Sequence, residues 1–168
     1  ELALLGDVSG KRILHLQCHF GQDTLSLARM GASTVGADLS DKAIDKAREL
    51  AKTLDVDATF VCCDLYDLPQ HLEGQFDIVF TSYGTIGWLP DLDKWASVIT
   101  HFLKPGGKFV FVEFHPVVWM FDDDFKHVTY NYFQDEPIIE ETSHSYANKE
   151  LPITDTTITW NHGLSEVF

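Results

Sequence analysis

Residues Ile13 to Gly21 read Ile-Leu-His-Leu-Gln-Cys-His-Phe-Gly, an apolar strand that runs straight into a tight loop. Asp23 and Thr24 then open an amphipathic helix, Leu25-Ser-Leu-Ala-Arg-Met30, with Gly31 as its stop signal. No other stretch restricts the fold as much. A strand, loop and helix in succession bring backbone N–H groups and a helix N-terminus to one spot beyond the strand's carboxyl end, where open α/β sheets hold ligands.

The rest of the chain repeats this unit. Strand and helix signals alternate from residue 11 to residue 114, the pattern of a mostly parallel sheet with helices on both faces. Ser33 to Ala37 forms a second strand that ends at Asp38, and Ser40 caps a helix with Ala43, Ile44, Ala47, Leu50, Ala51 and Leu54 at helical spacing. Ala58 to Cys63 is a third strand and Gln75 to Ser82 a fourth. Pro90 and Asp91 open a helix through Trp95, Val98, Ile99 and Phe102. Leu103-Lys-Pro-Gly-Gly107 is a turn by composition, and Lys108 to Phe114 is a fifth, nearly continuous apolar strand.

The predicted fold is therefore α/β and Rossmann-like: a doubly wound, mostly parallel sheet, with residues 1–116 as its core. Past Pro116 the pattern changes. Residues 117–153 mix aromatics with acids without a regular period and read as a lid or substrate-binding insertion after strand five. Thr154 to Trp160 alternates as a strand does, so residues 154–168 are expected to return to the core, incompletely. The chain starts without a methionine, and Asn161 to Phe168 reads as the cap and first turn of a helix; truncation at both ends is expected.

Charge and cysteines narrow the function. Twelve Lys and Arg against 26 Asp and Glu leave a net charge of −14 with no basic run, which argues against nucleic acid and fits either a cationic small molecule or a plain acidic surface. Cys18, Cys62 and Cys63 are an odd number without zinc-ligand spacing, as expected of reduced thiols in a cytoplasmic protein. No apolar stretch is long enough for a membrane span and no signal-peptide pattern opens the chain. Asp122-Asp-Asp124 reads as a solvated face rather than a metal site.

Two acids at strand ends carry the chemistry. A nicotinamide-binding loop wants G-x-G-x-x-G, and only Gly21 stands where three glycines are needed, which weakens a dinucleotide oxidoreductase reading. Asp38, after the second strand, suits a ribose diol in either class. Asp64, just beyond the third strand, suits an adenine amino group, with the next backbone N–H donating to the ring.

On these residues the chain resembles the class I S-adenosylmethionine-dependent methyltransferases. Ile13 to Gly21 aligns without a gap to their first motif, apolar-Leu-Asp-apolar-Gly-Cys-Gly-x-Gly; Phe76-Asp-Ile-Val79 matches their fourth strand and Leu103 to Phe109 the turn into the fifth. The resemblance covers about residues 5 to 116. His15 stands for the strand acid, Gln17 for the first loop glycine and His19 for the second, while Cys18 and Gly21 remain; this resembles a branch with His-Leu-Gln-Cys-His-Phe-Gly loops. The resemblance implies S-adenosyl-L-methionine as cofactor, held at Gln17, Cys18, His19, Gly21, Asp38, Leu39, Asp64, Leu65 and Ser82, and methyl transfer to a small-molecule acceptor.

The bland readings stand beside these. His15 alternates with apolar neighbours as a hydrogen-bonded core histidine does, Cys18 suits packing, Asp67 a turn near Pro69 and Asp77 the polar start of a strand. The exit of the fourth strand, Ser82 to Trp88, offers Tyr83 or Trp88 to a sulfonium or cationic substrate, or is a glycine-loosened loop with two packing aromatics. His115, at the end of the fifth strand, is a candidate general base or substrate ligand, or anchors a loop. A non-catalytic binder of the same cofactor has the same cradle; oligomeric state and acceptor are not legible.

Overall fold

The computed structural model describes residues 1–122, 124–133, 136–142 and 155–168. Residues 123, 134–135 and 143–153 of the insertion expected over residues 117–153, and Thr154 at the start of the run that follows it, lie outside the described residues. From the N-terminus the elements are α1 (Leu2–Leu5), β1 (Arg12–Leu16), α2 (Gln22–Arg29), β2 (Ser33–Asp38), α3 (Asp41–Leu54), β3 (Thr59–Cys62), α4 (Leu68–His71), β4 (Phe76–Ser82), α5 (Leu92–Phe102) and β5 (Leu103–Val112). The five strands are parallel in the order β3-β2-β1-β4-β5, a Rossmann-like, doubly wound sheet.

Two compact units are present, Glu1–Tyr83 with Asp93–Val112, and Gly84–Leu92 with Glu113–Phe168. In the first, β1 to β2 to β3 steps one way across the sheet and β4 to β5 the other, so right-handed crossovers set α2 and α3 on one face and α5 on the opposite face. Packing follows. Ile13, Ile78, Phe80 and Val110 cluster with Leu5, Val8 and Leu27, and Cys18, Leu25 and Phe60 with Ile44, Ala47 and Ala51 of α3. On the other face Trp95 of α5 stands edge-on to Phe109 and Phe111, with ring centroids 5.5 and 5.3 Å away. The central strands are covered on both faces, and Ile13, Leu14, Leu16 and Val79 have no exposed surface. Each such side chain contributes about 1.5–3 kcal/mol by leaving water.

Local signals set the details. Ser40 caps α3, its hydroxyl accepting from Ala43 N–H at 3.2 Å. Asp77 is structural: its carboxylate accepts from Arg12 N–H and from Lys104 Nζ, both at 2.8 Å, tying the amino ends of three neighbouring strands. Lys104 first, then the Arg12 amide, hold this carboxyl below its usual range. The turn predicted at Leu103 to Gly107 is absorbed into β5. Leu103 pairs with Phe76, the register then shifts, and Lys108 pairs with Ile78, so the glycines form an irregularity inside a strand instead of a turn before one.

In the second unit the chain after β4 makes a 3-10 turn at Ile86–Trp88, and the chain after β5 another at Pro116–Met120. β6 (Ile138–Thr142) pairs antiparallel with β7 (Asp155–Thr159), and α6 (Leu164–Val167) closes the chain. β6 was not foreseen: Ile-Ile-Glu-Glu-Thr lacks period-two alternation, and it is the pairing with β7 that makes it a strand. β7 corresponds to the run expected around residues 154–160, and its partner is β6 rather than a strand of the five-stranded sheet. Gly163, not Asn161, is the N-cap of α6, and Asn161 Nδ2 donates to Asn131 O at 3.2 Å. Asp122 organises a solvated turn, accepting from Lys126 N–H at 2.7 Å and lying 2.9 Å from His127 Nδ1. Among the described residues no helix is long and apolar enough to cross a membrane.

Candidate functional site

The strand order reverses between β1 and β4, and the crevice beyond their carboxyl ends is the ligand position of an open α/β sheet. β1 ends at Leu16 and the loop 17–21 turns sharply, with Gln17, His19 and Gly21 all at positive φ, 53°, 49° and 70°. The first two are the positions at which the resembled motif carries glycine. The left-handed backbone is retained although the side chains are large, at a cost of about 1–2 kcal/mol each.

Gly21 is held by space as well as by φ. A Cβ there would lie 2.5 Å from Phe60 Cε1 and 2.9 Å from Ala47 Cβ. Its N–H donates to Cys18 O at 2.8 Å, and its carbonyl accepts from Leu25 N–H at 2.9 Å, so the loop passes directly into α2. Gly21 is the N-cap of α2, and no side chain caps that N-terminus. The helix therefore starts at Gln22, one residue before the predicted opening at Asp23.

Asp38 braces the loop. Its Oδ2 accepts from His19 N–H at 2.8 Å and its Oδ1 from Ser40 N–H at 2.9 Å. Each carboxylate oxygen has two acceptor sites, so this carboxylate can still accept from a vicinal diol. Leu39 is exposed. Asp38 pairs with Cys62 across β2 and β3, which brings Asp64, two residues on, to the same rim. Asp64 is exposed, and its Oδ1 caps a short 3-10 turn by accepting from Tyr66 N–H at 2.8 Å. Leu65 is buried, so only its backbone is available at the rim. Because His15 lies opposite Phe80, the chain leaves β1 at the level where β4 reaches Thr81 and half-buried Ser82. Tyr83 follows with φ 32°, its N–H donating to Val112 O at 2.7 Å, and a hydrogen bond to Glu1 pushes its phenol up from the ordinary value.

His15 is a core histidine. It is buried, stacks on Phe80 with ring centroids 4.7 Å apart, and shares a 2.8 Å hydrogen bond between Nδ1 and Thr24 Oγ1. Burial lowers its pKa to about 4, so the ring is neutral near pH 7. Cys18 packs against α3, and burial, then the Asp38 charge, push its thiol up to about 12. His115 belongs to the second unit, where its Nδ1 accepts from Val117 N–H at 3.2 Å and caps the Pro116–Met120 turn. In the neutral ring the remaining proton then sits on Nε2, a donor rather than a base.

One residue escaped the sequence reading. Glu113, the first residue after β5, accepts hydrogen bonds from Gly84, Thr85 and Ile86. Its signal was modest: one acid in an apolar strand exit, with partners nearly thirty residues away.

Comparison with known proteins agrees with the fold. A family model described as a methyltransferase domain matches residues 13–107, more than half of the chain. The chain belongs to this methyltransferase family. An uncharacterized methyltransferase of Synechocystis is 40% identical over 114 residues, 67% of this chain and 51% of that protein. A ubiquinone biosynthesis O-methyltransferase of Coxiella burnetii is 30% identical over 104 residues, 62% of this chain and 44% of that protein. The chain thus spans about half the length of these curated relatives. An S-adenosylmethionine-dependent methyltransferase from Mesorhizobium loti superposes with a TM-score of 0.67 at 20% identity, over 98% of this chain and 73% of that one, a likeness of fold.

Proposed function

We propose that this chain forms the cofactor-binding part of an S-adenosylmethionine-dependent methyltransferase acting on a small-molecule acceptor. The observation that carries this reading is the Asp38 carboxylate, which braces the 17–21 loop through His19 N–H and keeps acceptor capacity at the carboxyl end of β2. Asp64 on the neighbouring strand end supplies a second carboxylate at the same rim. A ribose diol and an adenine amino group match these two acceptors, so the residues fit an adenosyl group.

S-adenosylmethionine, when bound, supplies a methyl carbon already activated by its sulfonium, so the protein has mainly to align the acceptor and exclude water. In this reading Asp38 binds the ribose, Asp64 and the Leu65 backbone hold the adenine, and Ser82 lines the methyl end. Gln17, Cys18, His19 and Gly21 shape the loop, and the uncapped N-terminus of α2 offers N–H groups to the amino-acid carboxylate. The left-handed Gln17 and His19 support membership of the branch with His-Leu-Gln-Cys-His-Phe-Gly loops. His115, with Nε2 as donor, orients the acceptor, and Tyr83 flanks the methyl end.

A small acceptor is favoured by the relatives: one is named for ubiquinone biosynthesis, and another, from wheat, is named phosphoethanolamine N-methyltransferase. The charge of −14 disfavours nucleic acid. Three free cysteines support a cytoplasmic setting, and no membrane partner is invoked.

The test is a thermal-shift panel. S-adenosylhomocysteine near 100 times its Kd is expected to add about 2.7 kcal/mol to the native state and raise the Tm, with no shift from NAD. A shift with NAD and none with S-adenosylhomocysteine would refute the methyltransferase reading.

A further inference from the structure

Inside the first compact unit, next to the 17–21 loop, lies a polar contact that packing alone does not require. His15 is 3% exposed and Thr24 has no exposed surface, yet the two share a 2.8 Å hydrogen bond between Nδ1 and Oγ1. Phe80 of β4 stacks on the imidazole with ring centroids 4.7 Å apart, and the Thr24 hydroxyl also reaches the Cys18 thiol of the loop. Two apolar side chains of similar size would fill this space without stripping water from a hydroxyl and an imidazole. What the hydrogen bond adds is direction: it holds donor and acceptor at a set distance and angle, whereas hydrophobic attraction is non-directional.

The elements it joins are β1 and the first turn of α2. Thr24 is the third residue of a helix that starts at Gln22 after its N-cap Gly21. No side chain caps this N-terminus, and the amides of Gln22, Asp23 and Thr24 have no carbonyl of their own helix to bond. Thr24 therefore carries one of these amides and also the hydroxyl that ties their turn to the sheet.

We propose that Thr24 and His15 are positioning residues for the amino-acid end of the cofactor: their hydrogen bond fixes the first turn of α2 against β1, so that its amides meet the carboxylate at a set distance. This role rests on the methyltransferase reading and deepens it. Both side chains are buried, so they act through the turn and not by contact. The adenosine end belongs to Asp38 and Asp64, at the ends of β2 and β3, and does not depend on where α2 begins. Loss of the link therefore weakens one end of the cofactor and spares the other, because pre-organised donors lose affinity when their position is no longer held.

Calorimetry with two ligands separates the ends. S-adenosylhomocysteine has both, and 5′-methylthioadenosine has the same adenosine and thioether without the amino-acid group. Thr24→Val keeps the shape of the side chain and removes the hydroxyl. It is expected to weaken S-adenosylhomocysteine binding about tenfold while methylthioadenosine stays within about twofold of wild type. Thr24→Ser restores the hydroxyl and should return S-adenosylhomocysteine affinity to within about threefold. If the valine variant does not fold, His15→Leu and His15→Asn carry the same comparison: leucine should lose S-adenosylhomocysteine about tenfold, and asparagine, whose amide nitrogen can take the place of Nδ1, should keep it. A merely structural contact would change the Tm and leave the ratio of the two affinities where it was. An unchanged ratio, whether both ligands weaken together or neither does, overturns the proposal. So does a serine variant as weak as the valine one, or a wild type that binds the two ligands equally well. A wild type that binds neither ligand overturns the methyltransferase reading instead, and the proposal with it.

Discussion

Alanine at three glycines separates backbone strain from crowding in the loop and its supports. Gly106 has φ 76° and nothing within 4 Å of an added Cβ, so Gly106→Ala introduces strain alone. The strain costs about 1–2 kcal/mol, partly offset by about 0.4–1 kcal/mol from a stiffer unfolded chain, for a net loss near ~1 kcal/mol. Gly36 lies in β2, and its added Cβ would lie 2.8 Å from Cys18 Sγ and 2.9 Å from Phe60 Cδ1, so Gly36→Ala introduces crowding alone. Overpacking of a core costs about 1–3 kcal/mol. Gly21 combines φ 70° with approaches of 2.5 and 2.7 Å to the Phe60 ring, whose side chain is only 6% exposed and has little room to move. Gly21→Ala should therefore lose about 2–4 kcal/mol, a large part of the 5–15 kcal/mol typical of a whole domain. Urea unfolding followed by far-ultraviolet circular dichroism measures all three. In a Phe60→Leu background the Gly21→Ala penalty should shrink by about 1–3 kcal/mol while the Gly106→Ala penalty stays the same, because only the first shares a contact with Phe60. The reasoning is refuted if Gly21→Ala is no worse than Gly106→Ala, or if the Phe60→Leu background leaves the Gly21 penalty unchanged.

Two further substitutions address the cofactor acids and the core histidine. Asp38→Ala should weaken S-adenosylhomocysteine binding by about 1.5–3 kcal/mol and Asp64→Ala by less, because a backbone donor to adenine survives the second change. Calorimetry on both variants gives the order, and unchanged affinity in Asp38→Ala would remove that residue from the site. His15 has a native pKa of about 4 against 6.5 when unfolded, so the unfolded chain alone takes up this proton as the pH falls. The stability present above pH 6.5 should decline toward pH 4 by roughly 3 kcal/mol through this group. His15→Gln should flatten that part of the pH dependence in urea titrations at pH 7 and pH 5, and an identical slope in the two proteins would contradict it.

The parallel sheet was legible because its signals are local. Central strands are runs of apolar residues, helices repeat at 3.6 residues, and Ser40 marks a helix start by its own side chain. Asp38 and Asp64 were legible for a related reason: they stand at strand ends, and strand ends converge on the ligand side of such a sheet. What escaped depends on pairing across distance. β6 has two apolar and two acidic residues side by side, and only β7 makes it a strand. Glu113 finds its role from amides nearly thirty residues earlier, which no spacing in the chain encodes.

The loop itself explains why its glycines are unequal. At Gln17 and His19 the fold demands only a left-handed backbone, which a larger residue can adopt for about 1–2 kcal/mol while its side chain stays half-buried or exposed. At Gly21 it demands the same backbone and denies the space, because α3 and Phe60 press against the turn. A chain under selection for stability alone would keep glycine at all three positions. Side chains at the first two therefore have to return something for the strain they introduce, and both sit on the loop that Asp38 braces, at the edge where the cofactor is expected. Gly21 has no such freedom, because any side chain there meets Phe60 and Ala47.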